Sequence, residues 1–312
     1  MNKQLYLCHV WVFKIIFLPN FYPILFKIPN CVLDTNVTKY TSLVSIWRFC
    51  EELCVSYCSI AEHFLRYFEL TVANTPELKR EVYRIRYKVY CEELKYESLE
   101  KFPDGLEQDD YDQHSIHYLL KHRPSGHYAG CVRVVLPKKQ IEKPNFPLEK
   151  ACPKGFFFSQ RSRANFCEIS RLAVLSKFRR QKPGKKGMEG MFFSYYRNQT
   201  NQPHKSFFPI IPLSLYWACI GTGPFLNLDV LALMEPRLAR HFRHYGIVSQ
   251  QIGDYINYRG KRGFFMIQPQ NFYYNLKSDI REFFDLIDKE RKKQLSKKIY
   301  KTGQSIGIDY LY

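Results

Sequence analysis

Glu107, Asp109, Asp110 and Asp112 crowd four carboxylates into the six residues EQDDYD of a chain whose formal net charge is +18. Side chains of that kind can hold a cation, grip a positively charged substrate, or simply solvate a loop. A calcium loop needs a glycine-centred turn between its ligands, and none follows here. Two other places can answer the acids with positive charge: Arg86 in RYKVY and Arg133 in YAGCVRVV. A third, EISR at 168–171, carries both signs in Glu168 and Arg171, with Ser170 between them. In a regular strand Glu168 and Ser170 share one face and Arg171 points the other way. A bulge between them would bring Glu168 and Arg171 to the same side and free backbone N–H groups from the ladder. Such donors are what a thioester carbonyl needs when attack turns it into an oxyanion.

These residues lie on elements that the sequence marks. Thr75 caps a helix whose first residue is Pro76. Leu78, Val82, Ile85 and Val89 then form an amphipathic stripe. Arg86 flanks that stripe, where an arginine usually lays its stem on apolar surface and keeps its head in water. SIHYLLKH and YAGCVRVVLP read as a hairpin through RPSGH, and NFCEISRLAV (165–174) as a central strand. SKFRRQKPGKKG is basic and helix-breaking. GMFFSYYRN and IPLSLYWACI read as helices, LDVLALMEP as a buried strand, and PRLARHFRHYG as a short helix closed by Gly246. QQIGDYINYRGKRGFFMIQ is a hairpin turning near Arg259 and Gly260, and a charged amphipathic helix begins at Leu276. The order predicts a mixed α/β sheet with helices on its faces. The expected organisation is an extension over 1–58, one domain over 59–275 and a basic helical tail over 276–312.

Composition narrows the partners. The excess of 47 Lys and Arg over 29 Asp and Glu calls for an acidic one: nucleic acid, anionic lipid or an acidic protein. An aromatic share of 16% suits an apolar tunnel and suits an ordinary core equally. FFF at 156–158 and MFFSYY at 191–196 are the runs that could line a tunnel. The ten cysteines include no CxxC pair, which favours reduced thiols of a cytosolic protein over disulfides or zinc, and no metal site is expected. The apolar run Val10–Phe26 is interrupted by Lys14, Pro19, Asn20 and Pro23. It reads as a peripheral anchor at the inner membrane or as a segment outside the working protein, rather than as a spanning helix.

Taken in order, Arg86 and Tyr90 in RYKVY, E-x-D-x-x-D at 107–112, G-x-x-R at 130–133 and E-x-S-R at 168–171 form a series. It resembles the acyl-homoserine-lactone (autoinducer) synthases among the GNAT-like acyltransferases. AEHFLRYFEL, EISRLAV followed by FRR, ALMEPRLARHFRHYG and YRGKRGFF are more similar to the PEP-CTERM/exosortase-associated acyltransferases and the N-acyl amino acid synthases. The likeness spans about residues 60–268. It implies a GNAT-like fold, with a mostly antiparallel mixed sheet flanked by helices and a central, splayed strand with a bulge. It further implies transfer of a fatty acyl group from an acyl carrier protein thioester to the amine of a small acceptor such as an amino acid. No cofactor is permanently bound; acyl-carrier protein or acyl-CoA is the donor. A Q/R-x-x-G-x-G/A phosphate loop would favour CoA, but QKPGKK keeps only Gln181 and Gly184, which favours a carrier protein.

On this reading Glu168, Ser170 and Arg171 form the catalytic segment, with Glu168 as the base that deprotonates the amine. Arg86, Tyr90, Glu107, Asp109, Asp112 and Arg133 form the acceptor pocket. The three acids and the arginines Arg86, Arg133 and Arg171 are expected to make an ion-pair network that leaves one carboxylate for the acceptor's ammonium. Asp110 is expected in solvent. A covalent route through Cys131 or Cys167 lacks a histidine partner at a fixed offset. Lys177, Arg179, Arg180, Lys182, Lys185 and Lys186 are the expected carrier-protein docking face. The alternatives are an acyl-homoserine-lactone synthase using S-adenosylmethionine, or a basic module that binds nucleic acid or a membrane surface. The acidic run, which would repel phosphate, argues against nucleic acid.

Overall fold

The computed structural model describes residues 59–138, 146–152, 163–179, 210–268 and 273–302. The N-terminal extension, the aromatic runs at 156–158 and 191–196, and Arg180, Lys182, Lys185 and Lys186 lie outside the described residues.

Helix α1 (Ile60–Tyr67) opens the described chain with a capping box: the Ser59 hydroxyl accepts from the Glu62 N–H, and the Glu62 carboxylate accepts from the Ser59 N–H. Strand β1 (Phe68–Val72) follows. Helix α2 (Pro76–Tyr87) starts as expected, with the Thr75 hydroxyl accepting from the Leu78 N–H at 3.3 Å. It runs directly into a π-helical turn, Lys88–Glu93. The hairpin pairs β2 (Ser115–His122) with β3 (Tyr128–Val135). The short helix α3 (Pro147–Ala151) precedes the central strand β4 (Phe166–Val174). The remaining elements are α4 (Ile210–Phe225), β5 (Asp229–Met234), α5 (Pro236–His244), β6 (Gln250–Gln251), β7 (Ile256–Asn257), β8 (Lys261–Ile267) and α6 (Ser278–Thr302).

The strands form one sheet in the order β1-β2-β3-β4-β5-β8-β6, with β7 paired to β8. The β4–β5 pair is parallel and every other neighbour pair is antiparallel. Alternation along the strands builds two apolar layers. Tyr118, Leu120, Val132 and Val134 face α4 and α6, where Trp217, Phe283 and Ile287 complete the larger cluster. Leu119, Cys131 and Ala173 point the other way and meet Val82, Ile85 and Val89 on the α2 side.

The helix expected as a tail is part of the core. Residues Ile280, Phe283, Phe284, Ile287 and Leu295 of α6 are buried. Gln294 also ties α6 to the outer edge of β1: its amide accepts from the Val72 N–H at 2.8 Å and donates to the Leu70 carbonyl at 2.7 Å. Among the described residues no helix is long and apolar enough to cross a membrane.

Two irregularities in β4 shape the region around EISR. First, Arg133 pairs with Ser170 whereas Cys131 pairs with Ala173, so β4 spends three residues where β3 spends two. The extra residue lies at Arg171–Leu172, and Arg171 adopts φ 55°. Second, the β4–β5 ladder runs only from Phe166–Asp229 to Ile169–Ala232. From Ser170 onward β4 parts from β5, and among the described residues its edge on that side has no strand partner there. Gly130, the glycine of G-x-x-R, permits this bulge: a Cβ at this position would lie 2.5 Å from the Ala173 carbonyl oxygen.

Candidate active site

The three acids and three arginines close into a ring. Arg86 pairs with Glu107 and, at 2.7 Å, with Asp112. Arg133 pairs with Asp112 at 2.7 Å and Asp109 at 2.5 Å. Arg171 completes the circuit to Asp109 at 3.3 Å and Glu107 at 3.1 Å. Each guanidinium therefore bridges two carboxylates, each carboxylate serves two guanidiniums, and the ring is neutral. Each guanidinium also sits over a tyrosine face: Arg86 over Tyr83 at 5.5 Å, Arg133 over Tyr111 at 5.9 Å and Arg171 over Tyr90 at 5.7 Å.

Local structure places the acids. Asp109 N-caps a short 3₁₀ turn, accepting from the Tyr111 N–H at 3.0 Å, and Asp112 reaches back to accept from the Asp109 N–H at 2.8 Å. The turn throws Glu107 and Asp112 inward and leaves Asp110 exposed, as expected. Arg86 escapes the snorkelling usual for an arginine beside an apolar stripe and joins the expected network: its guanidinium is fully buried, because two carboxylates meet it inside.

Burial and pairing oppose one another within the ring. Burial pushes the Asp112 carboxyl up, but Arg86 and Arg133 outweigh it and hold it well below the usual carboxylate range. Asp109 is also lowered, with Arg133 again overcoming burial. His117, the cross-strand neighbour of Arg133, was invisible to motif reading. It lies 3.6 Å from Asp112, and burial lowers it to about 3, so it stays neutral beside the ring.

No carboxylate of the ring is spare, contrary to expectation. Only the outer corner keeps access: the Asp109 side chain is 25% exposed and Arg171 20%. A hollow of about 440 Å³ opens beside the ring, lined by Lys79, Tyr83, Gln108, Asp109, Asp110, Asp112 and Gln113.

Glu168 and Ser170 share the strand face that carries Arg133, and Arg133 Nε donates to the Ser170 hydroxyl at 3.0 Å. Glu168 is 2% exposed and accepts from the Leu148 N–H of α3 at 2.9 Å. Burial raises its carboxyl to about 8, against the pull of that N–H and of Arg133 and Arg171. Desolvation thus wins, and Glu168 titrates near neutrality, where a general base is most effective. Cys131 and Cys167 are fully buried, and burial pushes Cys131 up to about 12 and raises Cys167 as well. Inert thiols of this kind do not support the covalent alternative. Tyr90 donates its hydroxyl to the Leu172 carbonyl at 2.7 Å.

Of the described docking candidates, Lys177 is exposed and Arg179 is paired with Glu93. A stronger cationic face lies on α5, where Arg237, Arg240 and Arg243 are all exposed. The helix contains no acid. It begins just after the C-terminal end of β5, the end at which β4 and β5 separate. The spacing of PRLARHFRH carried this signal, but a short helix gave no reason to choose it over the longer basic loop.

Residues 85–185 match the model of the acetyltransferase (GNAT) domain. Over 52 residues the chain is 38% identical to the acyl-homoserine-lactone synthase of Vibrio anguillarum, covering 17% of this chain and 26% of that protein. The chain thus spans about a quarter of the curated relative that it matches. Among solved structures, the AHL synthase LasI aligns with a TM-score of 0.43 at 13% identity, over 67% of this chain and 94% of that one. FeeM, an N-acyl amino acid synthase from uncultured soil microbes, aligns with a TM-score of 0.42 at 11% identity, over 67% and 94%. The matched segment, 85–185, contains the whole charge ring, the β4 bulge and Glu168.

Proposed function

We propose that this GNAT-like acyltransferase domain moves a fatty acyl group from an acyl carrier protein thioester to the amine of an amino acid or similar small acceptor. The observation that carries the reading is the pairing, on one strand, of a carboxyl that titrates at about 8 with an edge unladdered from Ser170 onward.

The acceptor seats at the outer corner of the ring, with its ammonium toward Asp109 and its carboxylate toward Arg171. Glu168 takes a proton from the ammonium, through one water because α3 covers the side chain. The freed amine attacks the thioester carbon and forms the C–N bond. Backbone N–H groups beyond Ile169 hold the oxyanion, an interaction whose removal typically costs ~10²–10³ in rate. Collapse breaks the C–S bond; the thiolate leaves and is protonated as the nitrogen loses its second proton. The amide and the free thiol are the products.

The exposed cations of α5 support a carrier protein as donor, because acyl carrier proteins are acidic and a one-signed face at the cleft mouth steers their approach. The test is product analysis by mass spectrometry after incubation with acyl-carrier protein and an amino-acid mixture. Wild type should form an acylated amine that Glu168→Gln and Arg171→Ala lose. A fully acylated carrier with no acylated amine in any sample would refute the reading. The likeness to the Vibrio synthase favours one second reading, S-adenosylmethionine as acceptor. Adding it to the same mixture decides between them, since an acyl-homoserine lactone would then appear.

A further inference from the structure

We infer that Tyr90 is a positioning residue, a clamp that keeps the β4 bulge in its working shape rather than a contact for substrate. The inference rests on the acyl-transfer reading for its effect on rate, but not for its effect on structure.

The bulge needs holding. Arg171 has φ 55°, a left-handed conformation that a residue with a side chain keeps only when its surroundings over-determine it. Two restraints act on the Arg171 side chain, the pairs to Glu107 and Asp109. The ring of Tyr90 lies against its guanidinium, and the same tyrosine donates a 2.7 Å hydrogen bond to the carbonyl of the next residue, Leu172. One side chain therefore touches both residues at which β4 carries its extra length.

Tyr90 reaches this spot because of a second irregularity. It lies in the π-helical turn Lys88–Glu93, which interrupts the continuation of α2. An α-helix advances about 100° per residue, so a wider turn here re-aims every later side chain. Single π-turns inside α-helices recur at functional positions. The π-turn and the bulge, remote in sequence, meet at the Tyr90 hydroxyl.

The backbone of Tyr90 is anchored from behind. Its carbonyl accepts N–H groups from Tyr96 at 2.7 Å and Glu97 at 3.1 Å. Glu97 pairs with Arg259, at the turn between β7 and β8, and the Arg259 guanidinium lies 5.4 Å over the Tyr96 ring. That turn belongs to the β5–β8 half of the sheet, whereas Leu172 belongs to β4. The contacts Arg259–Glu97 and Tyr96–Tyr90–Leu172 thus bridge the two halves around the place where β4 and β5 part.

The test uses the full chain and Tyr90→Phe, which keeps the ring and removes only the O–H. Amide hydrogen exchange over 170–174 should accelerate by roughly 2- to 12-fold, the shift expected from losing one such bond. Exchange within α2 should stay unchanged, which also reports that the variant is folded. With acyl-carrier protein and acceptor, kcat should fall at least tenfold while KM for both substrates changes less than twofold. Unchanged exchange over 170–174 would overturn the clamp. A raised KM with kcat intact would return Tyr90 to the role of substrate contact. Faster exchange at wild-type kcat would show a clamp that catalysis does not need, and would overturn the positioning role. A wild type that transfers no acyl group would defeat the proposed function alone, leaving exchange to decide the clamp.

Discussion

Asp112 is the member of the charge ring whose loss the fold should feel most. It receives Arg86 and Arg133 at 2.7 Å each, and both guanidiniums are fully buried. Asp112→Asn keeps the shape and one acceptor oxygen but leaves three cations, two of them fully buried, facing two anions. Removing one partner of a buried pair typically destabilises by about 3–5 kcal/mol, because the remaining charge stays desolvated. Against a total stability of about 5–15 kcal/mol this is a large share. For a domain of this size it corresponds to a fall in Tm of roughly 6–20 °C. Asp110→Asn, two residues away and exposed, should change stability by less than about 0.5 kcal/mol. Urea and thermal unfolding of the two variants and wild type make the comparison. The difference also has a pH signature. Because the folded-state carboxyl of Asp112 is held below its ordinary value, its contribution is complete above the unfolded pKa of about 3.9 and is lost as pH falls below it. The gap between wild type and Asp112→Asn should therefore close in acid. A loss below about 1 kcal/mol at pH 7 would mean that water reaches the ring, and the reasoning from burial would fall.

Glu168 has the opposite sign. Its folded pKa of about 8 exceeds the unfolded value of about 4.3, so stability is complete below that lower value and is lost as pH rises toward 8. Glu168→Gln should remove this slope, read by chemical unfolding from pH 5 to 9, and the acyl-transfer rate of wild type should rise through pH 8. Arg237→Glu with Arg240→Glu should weaken carrier-protein binding at least tenfold at low salt, with the loss shrinking at high salt and Tm unchanged; equal loss at all salt concentrations would speak against an electrostatic docking face. Gly246→Ala should cost about 1–3 kcal/mol or more in thermal unfolding, because φ is +88° and the added Cβ would lie 2.4 Å from the Asn275 oxygen.

Much of this arrangement is legible in the amino-acid sequence. The Thr75 cap, the α2 stripe and the β2–β3 hairpin are local signals, and burial reinforced each of them. The ring was legible because three acids close in sequence needed balancing charge from elsewhere, and Arg86, Arg133 and Arg171 stand in the ordered series RYKVY, G-x-x-R and E-x-S-R around them. What stayed hidden depends on distant parts of the chain. The closure of the ring, which leaves no spare carboxylate, is a property of distances between four segments. The π-turn that aims Tyr90 has no composition signature. Nor does the cover that α3 lays over Glu168 through Leu148, which raises its pKa although nothing in EISR predicts burial. The role of α6 was missed because its polar face dominates the sequence, while its core residues occupy the narrower side.

Gln294 has a consequence for how the chain comes into being. Its amide occupies the outer edge of β1 as one residue of a neighbouring strand would, meeting both Leu70 and Val72. An open strand edge is a template on which other chains can pair. Ribosomal synthesis delivers β1 more than 200 residues before Gln294, at about 5–20 residues per second. For at least ten seconds or so, then, the nascent sheet lacks the helix that, among the described residues, meets this edge through Gln294. A ribosome-stalled or truncated product ending before residue 278 should be more prone to aggregate than the loss of surface helix area alone would suggest.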